Sequence, residues 1–378
     1  MRIAQVAPLI ESVPPKAYGG TERVVSYLTE ELVRQGHDVT LFASGDSQTA
    51  AHLVASSSQA LRLADGVVDP IAHTIVQLED VANRASEFDV IHWHLDYFHF
   101  PMSRRLGVPQ LTTLHGRLDI RDVQPLYDEF TDMPVVSISD DQRAPLPQAR
   151  WAATIHHGLP PDEFEPSYEP GRYLAFLGRI SPEKRADRAI EVARRAGMPL
   201  RIGAKVDQVD QVYFEENIEP LLGHDHVEWV GEVAGREKVE LLRNAAALLF
   251  PIDWAEPFGL VMIEAMACGT PVIAYRSGSV PEVVSDGVSG FIVESIDESV
   301  AAVQRLDKID RRETRAAFER RFTVERMARD YVDLYERLVA EHGSAESPAA
   351  FAVGASDVAD SSDAESHAVE RRGAANPT

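Results

Sequence analysis

The stretch Asp253-Trp254-Ala255-Glu256-Pro257-Phe258-Gly259-Leu260-Val261-Met262-Ile263-Glu264-Ala265-Met266-Ala267-Cys268-Gly269-Thr270-Pro271-Val272-Ile273-Ala274 decides how the chain reads. Just before it, Leu248 to Pro251 is a short apolar strand. Within it, Glu264 to Cys268 falls in a helix, and Pro271 to Tyr275 opens the next strand. Strand, loop, helix and strand in that order form the repeating unit of parallel α/β sheets. Glu256 stands at the end of the loop and Glu264 about two turns into the helix. The loop lies at the carboxyl edge of a strand, where open α/β sheets bind ligands. A carboxylate there can accept both hydrogen bonds of a vicinal diol, with ribose the natural candidate. The amides of Phe258, Gly259 and Leu260 sit at the helix N-terminus, where the macrodipole favours an anion or a hydroxyl-rich sugar. Most glutamates are solvated surface groups, but the length of the string around these two argues against that reading.

The alternation continues in both directions. Tyr173 to Leu177, Leu200 to Ala204 and Val227 to Val230 read as strands, Lys184 to Ala196 and Arg236 to Asn244 as helices, and Gly290 to Val293 closes the series. An earlier half has the same pattern, with strands at Ile3 to Pro8, Val39 to Ala43, Val90 to His94, Leu111 to Leu114 and Val135 to Ile138. Its first helix is Thr21 to Gln35, with Thr21 as N-cap and Val24, Val25, Leu28 and Leu32 as the buried stripe. Between the halves, Pro160, Pro161, Pro166 and Pro170 crowd a Glu-rich segment with linker composition. The fold class is therefore α/β, with one doubly wound Rossmann-like domain over residues 1–165 and another over 171–320, facing each other across a cleft.

Arg311 to Glu341 is a long helical run with Phe322, Met327, Tyr331, Leu334 and Leu338 on one face. Its part 321–342 is expected to pack back on the N-terminal domain. Residues 343–378 are rich in Ala, Ser, Asp, Glu and Gly with one aromatic, Phe351, and read as a disordered tail.

Three further constellations bear on chemistry. Gly178-Arg179-Ile180-Ser181-Pro182-Glu183-Lys184 follows a strand and opens a helix. Arg179 offers a planar fork and Lys184 a flexible point charge, both suited to a diphosphate, and cations at a helix N-terminus are unfavourable unless an anion lies between them. Gly19 and Gly20, in Tyr18-Gly19-Gly20-Thr21, let the backbone approach a ligand closely, although most such pairs are only turns. His115, in Thr112-Thr113-Leu114-His115-Gly116, stands at a strand end. His92 and His94 point to the same side of a strand, which could support a metal, but only Asp96 is near as a carboxylate. Cleft lining or acceptor contact is the better reading for them. Ser139 is a candidate helix cap, Arg143 belongs to the cleft or the surface, and Cys268 reads as a small core residue.

Composition sets the boundaries. With 378 residues, two full cores are available and neither disulfide nor structural metal is needed. The net charge of -23, about -19 of it outside the tail, disfavours nucleic acid and anionic membranes as partners. A single cysteine suits a reducing compartment, and no stretch is long and apolar enough for a span, so a cytoplasmic location without membrane insertion is expected.

Glu-Pro-Phe-Gly-Leu followed by Glu-Ala-Met-Ala-Cys-Gly-Thr-Pro-Val resembles glycosyltransferase family 4, a retaining family with the GT-B fold whose signature is two glutamates separated by seven residues. The likeness extends in order over about residues 1 to 340. It implies transfer of a hexose, glucose or mannose, from a nucleotide diphosphate sugar to a hydroxyl acceptor. Arg179 and Lys184 match the family's diphosphate-binding pair, Gly19 and Gly20 its N-terminal glycine loop, and His115 a histidine that contacts the donor sugar. Glu264 would hold the ribose, with Glu256 and the Phe258–Leu260 backbone on the sugar hydroxyls. His115, Glu256, Arg179 and Lys184 are thus the expected catalytic residues. No metal and no cofactor beyond the sugar nucleotide is expected, since no Asp-x-Asp motif follows a strand and two fixed cations can neutralise the leaving group. UDP-glucose is the first expectation for the donor and GDP-mannose the second, with a small molecule, glycan or lipid as acceptor. Residues 11–18 and 92–100 are candidate acceptor walls, resembling a subgroup that glucosylates a pterin, with Trp93, Tyr97 and Phe98 as stacking surfaces. A nucleotide-sugar epimerase, which would not need the two-glutamate element, and a non-catalytic sugar-nucleotide sensor, which would lose Glu256 or His115, are the alternatives.

Overall fold

The computed structural model describes residues 1–16 and 19–345. Ala17 and Tyr18 of the candidate acceptor wall, and the expected tail beyond Ala345, lie outside the described residues. Gly343 to Ala345 close the last helix and do not belong to the tail.

The first half is a seven-stranded sheet in the order β3-β2-β1-β4-β5-β6-β7. Its strands are β1 Arg2–Val6, β2 Asp38–Ser44, β3 His52–Ser57, β4 Val90–Trp93, β5 Gln110–Thr113, β6 Pro134–Ser137 and β7 Arg150–Thr154. The second is a six-stranded sheet in the order β10-β9-β8-β11-β12-β13. It comprises β8 Tyr173–Ile180, β9 Leu200–Val206, β10 Val227–Gly231, β11 Ala245–Phe250, β12 Val272–Tyr275 and β13 Gly290–Val293. Every strand pairing is parallel, including β1 with β4 and β8 with β11. Strand order reverses between β1 and β4 and between β8 and β11. Chains leaving neighbouring strands there diverge to opposite faces, which opens a crevice at the carboxyl ends.

Several local expectations need correction. The edge strands β3 and β7 went unread because their side chains are mostly half-exposed, which leaves no apolar run to recognise. The first helix is Gly20–Arg34, and its cap position is Gly19 with no side-chain hydrogen bond, so Thr21 is not the N-cap. Strand β8 runs on to Ile180 because Arg179 and Ile180 pair with Lys205 and Val206, and the following helix starts only at Ala186. The long C-terminal run is two helices, Arg311–Arg321 and Val324–Ala345. They break where Leu159 is clamped between Phe322 and Val324, with Leu159 N donating to Phe322 O and Val324 N to Leu159 O, both at 2.9 Å.

The last helix lies against the helix Gly20–Arg34, and one apolar cluster takes in Leu28, Leu32, Met262, Phe322 and Tyr331. It therefore draws on both sheet halves. The proline-rich segment is held from the other side: buried Arg311 donates to Ser167 O and Arg315 to the carbonyls of Phe164 and Pro161. Burial lowers the Arg311 guanidinium to about 10, and its carbonyl partners carry the cost of that burial.

Candidate active site

The crevice at the two reversal points is one cavity of about 470 Å³. All ten residues expected from the sequence to act in catalysis or donor binding line it: Gly19, Gly20 and His115 from the first half, Arg179, Lys184, Glu256, Phe258, Gly259, Leu260 and Glu264 from the second. Each stands where its strand delivers it. Gly19 ends the loop after β1 and Gly20 opens the helix, His115 follows β5, Arg179 lies at the end of β8, and Glu256 belongs to the loop after β11.

The glutamate loop is shaped by a few contacts. Gly259 takes φ of 76° immediately before the helix Leu260–Ala267, a left-handed turn suited to glycine. Glu264 is therefore one turn into the helix, not two. Gly278 packs on the loop from beneath with φ of 55°, and a Cβ there would come within 2.3 Å of the Glu256 backbone nitrogen. Ser277 Oγ donates to Trp254 O at 2.6 Å, Ser279 N to Glu256 O at 2.9 Å and Ser279 Oγ to Phe258 O at 2.8 Å. The Ser277–Glu282 loop thus shapes the cavity wall.

The cations are paired with the very carboxylates expected to hold sugar. Lys184 Nζ donates to Glu256 Oε2 and lies 5.0 Å from the Trp254 ring centre. Lys238 Nζ donates to Glu264 Oε1. Glu256 and Glu264 are 9% and 5% exposed, so these are ion pairs with little water between the charges. Arg179 donates to Glu183 at 2.6 Å and lies 3.4 Å from Asp210. Across the cavity Arg62 pairs with Glu11 at 2.9 Å.

Sequence reasoning missed Arg62, His157, Lys205, Lys238 and the Glu232–Ala234 turn, all of which line the cavity. Lys238 carries the one readable signal, a basic residue on the helix Gly235–Arg243 that precedes the motif strand. His157 has none, being a single imidazole in a loop. It is buried, stacks on His115 at 5.3 Å and meets Phe258 edge-on at 4.9 Å. Burial lowers the His115 imidazole to about 3 and holds His157 well below its usual range, so both rings are neutral.

The sequence candidates His92, His94, Trp93, Phe98, Ser139, Arg143 and Cys268 lie outside the cavity lining. His92 and His94 are buried in side-chain hydrogen bonds, and among the described residues no group of three or more His, Cys, Asp or Glu could hold a metal ion. Trp93 is fully buried and stacks on His99, so it offers no surface to an acceptor, whereas Phe98 is 43% exposed. Arg143 lies over Trp151 and donates to Thr154, away from the cavity lining. Ser139 Oγ accepts from Gln142 N at 3.1 Å and caps that turn. Cys268 is buried, and desolvation raises its thiol to about 12. Among the described residues no helix is long and apolar enough to cross a membrane.

Comparison with known proteins bears on the whole chain. Residues 18–157 match the family model described as Glycosyltransferase Family 4, and residues 162–322 match Glycosyl transferases group 1. A D-inositol 3-phosphate glycosyltransferase of Saccharomonospora viridis is 31% identical over 304 residues, 73% of this chain and 67% of that one. An alpha-maltose-1-phosphate synthase of Mycolicibacterium smegmatis is 25% identical over 333 residues, covering 76% and 84%. Among solved structures, AviGT4, a glycosyltransferase involved in avilamycin A biosynthesis, superposes with a TM-score of 0.68 at 25% identity over 90% of this chain and 98% of its own. A sucrose-phosphate synthase from Thermosynechococcus elongatus reaches a TM-score of 0.73 at 20% identity over 90% and 99%, a likeness of fold. Two parallel-sheet halves around a shared crevice, carrying the two-glutamate loop and matched along their length, make this chain a member of glycosyltransferase family 4 with the GT-B fold, and a hexosyltransferase.

Proposed function

We propose that the chain transfers a glucosyl group from UDP-glucose to a hydroxyl acceptor with retention at the anomeric carbon. The observation that carries the reading is the convergence of Arg179, Lys184, Glu256 and Glu264 with Gly19, Gly20 and His115 on one cavity. Residues from both sheet halves meet there.

In this reading the diphosphate lies between Arg179 and Lys184. It competes with Glu256 for Lys184, which frees Glu256 to accept hydrogen bonds from the sugar. Glu264 keeps one oxygen on Lys238 and turns the other to the ribose. As the bond from the anomeric carbon to the leaving phosphate oxygen breaks, negative charge grows on the diphosphate, where the two cations stabilise it. The acceptor oxygen bonds to the same face of that carbon, and its proton passes to the leaving phosphate oxygen. No protein base and no metal is then needed. Arg23 and Arg62 line the first-half side of the cavity, which suits an acceptor with an anionic group.

Thermal-shift measurements with UDP-, GDP- and ADP-sugars test the donor, because only a ligand bound by the native state raises its stability. UDP-glucose should give the largest shift, about 2.7 kcal/mol of stabilisation at a hundredfold excess over Kd. A shift with GDP-mannose alone would replace UDP-glucose, and no shift with any of them would refute the donor assignment. Release of a sugar-nucleotide isomer from donor alone would favour the epimerase alternative.

A further inference from the structure

Behind His115, and outside the cavity lining, lies a closed string of buried polar side chains that the transfer chemistry does not use. Gln5 on β1 and His92 on β4 are fully buried, as is Tyr335 on the last helix, and His94 is 3% exposed. Tyr335 Oη lies 3.1 Å from Gln5 Nε2 and 2.7 Å from His92 Nδ1. His92 Nε2 reaches Thr113 Oγ1 at 2.7 Å, which in turn meets Tyr331 Oη at 2.7 Å. On the other side Gln5 Oε1 lies 2.8 Å from His94 Nε2, and His94 Nδ1 lies 2.9 Å from His115 Nε2. The chain ends there. His115 Nδ1 has no hydrogen-bond partner among the described residues, and its ring lines the cavity.

An apolar core of the same shape would be about as stable. What the polar string has in addition is a direction. A neutral imidazole donates from one nitrogen and accepts at the other. Gln5 Nε2 gives an N–H to Tyr335 and also lies 3.4 Å from His92 Nδ1, so that nitrogen accepts, with Tyr335 as its second donor, and His92 donates from Nε2 to Thr113. The Gln5 carbonyl can only accept, so His94 carries its proton on Nε2 and accepts at Nδ1. His115 must then donate from Nε2. Turning the Gln5 amide over would reverse the bonds on both sides of it and place the His115 proton on Nδ1.

We propose that Gln5, His94 and Tyr335 are positioning residues that hold His115 as the Nε2–H tautomer, so that its Nδ1 lone pair accepts a hydrogen bond from a hydroxyl of the bound sugar. Only the last clause rests on the sugar-transfer reading. The tautomer is a property of the protein alone, and the last helix, some 220 residues downstream in sequence, thereby sets the polarity of a group in the cavity. An Nδ1–H tautomer would face the same hydroxyl as a donor, with a different preferred orientation of the sugar.

Long-range nitrogen–proton NMR on the full chain labelled at histidine reads the tautomer without any substrate. In the native protein His115 should show an unprotonated Nδ1. In Tyr335→Phe and in Gln5→Leu the anchor is lost, and the signal should move to an average of the two forms while the thermal midpoint of at least one variant shows a folded protein. A purely structural role would lower that midpoint and leave the tautomer unchanged. With the preferred donor, Tyr335→Phe should reduce kcat about tenfold and leave the KM for donor within about twofold, the split expected for lost orientation with retained binding. A protonated Nδ1 in the native protein, or an unaltered tautomer in both variants, overturns the proposal. Absence of transfer from any donor, with the tautomer fixed as expected, would strike the sugar-transfer reading and leave the relay standing.

Discussion

Acidification should unfold this protein earlier than its carboxylates alone would allow. His92, His94, His99 and His157 are 0–3% exposed, and burial holds each imidazole well below its usual range. Once unfolded, each titrates near about 6.5, so below that pH the unfolded chain takes up protons that the folded chain refuses, and stability falls as pH falls. The loss per ring between pH 7 and pH 6 is about 0.7 kcal/mol. With His115, whose imidazole burial lowers to about 3, five rings cost about 3.5 kcal/mol by pH 6 and about 6 kcal/mol by pH 5.5. Against a typical stability of about 5–15 kcal/mol, that is enough to approach the transition. Carboxylates held low by arginine, such as Asp89 beside Arg2, add their own loss only at more acid pH. Glu22, raised by burial, works in the opposite sense and recovers part of it.

Guanidinium unfolding followed between pH 7.5 and 5.5 measures the effect directly, in the transition that exposes the first sheet half. His99→Gln supplies the internal control. Its neighbours Ser103 and Thr112 can still be hydrogen-bonded by an amide, but one titrating group is gone. The pH dependence should shrink by about a fifth, or about 0.7 kcal/mol at pH 6. Equal stability at pH 7.5 and 5.5, or an identical slope in the variant, would refute the reasoning.

Three other outcomes are expected. Glu256→Gln removes the anion that holds Lys184, so inorganic pyrophosphate should bind more tightly by calorimetry while hexosyl transfer falls; a weaker pyrophosphate complex would contradict the competition between them. Lys238→Met strands Glu264 as a buried charge and should destabilise the protein by about 3 kcal/mol in denaturant, and Lys238→Met/Glu264→Gln should restore much of it. Glu282→Ala removes the carboxylate that accepts from the backbone of Asp140 at 2.7 Å and Asp141 at 2.8 Å and pairs with His156. About 2 kcal/mol should be lost, and small-angle scattering should show a wider spread of separations between the two sheet halves if that carboxylate joins them.

What the sequence made legible follows from what it repeats. The apolar strands beside each reversal point announce themselves because both of their faces are covered, so β1, β4, β8 and β11 were all readable, and with them the place of the crevice. The edge strands of the first sheet lack that signature, since His52–Ser57 and Arg150–Thr154 are mostly half-exposed, whereas the edges of the second, Val227–Gly231 and Gly290–Val293, keep readable apolar residues. Arg179 looked like a loop residue because Gly178 interrupts the apolar run, yet the pairing with β9 carries the strand past it. The break at Phe322 was hidden for the opposite reason, since apolar spacing continues across it and only a partner from residue 159 interrupts the backbone. His157 and the Gln5–His94–His115 string lie further from reach. Their meaning is a matter of which nitrogen faces which oxygen, and linear spacing contains no trace of that.

Charge shows the same division between what composition can say and what only geometry can. The net charge of -23 describes the chain as a whole, whereas the cavity is lined by Arg23, Arg62, Arg179, Lys184, Lys205 and Lys238 against Glu11, Glu22, Glu232, Glu256 and Glu264. The lining is close to balance because cations and carboxylates are matched at short range, Lys184 with Glu256 and Lys238 with Glu264. A site of bare cations would hold inorganic phosphate, nucleotides and polyanions with little distinction. In a paired site an anion must displace a carboxylate to gain a cation, and the displaced carboxylate then needs donors of its own. The sugar nucleotide proposed as donor would bring both partners, phosphate for Lys184 and hydroxyls for Glu256 and Glu264, and this reciprocity would give an acidic protein selectivity for a ligand of its own sign.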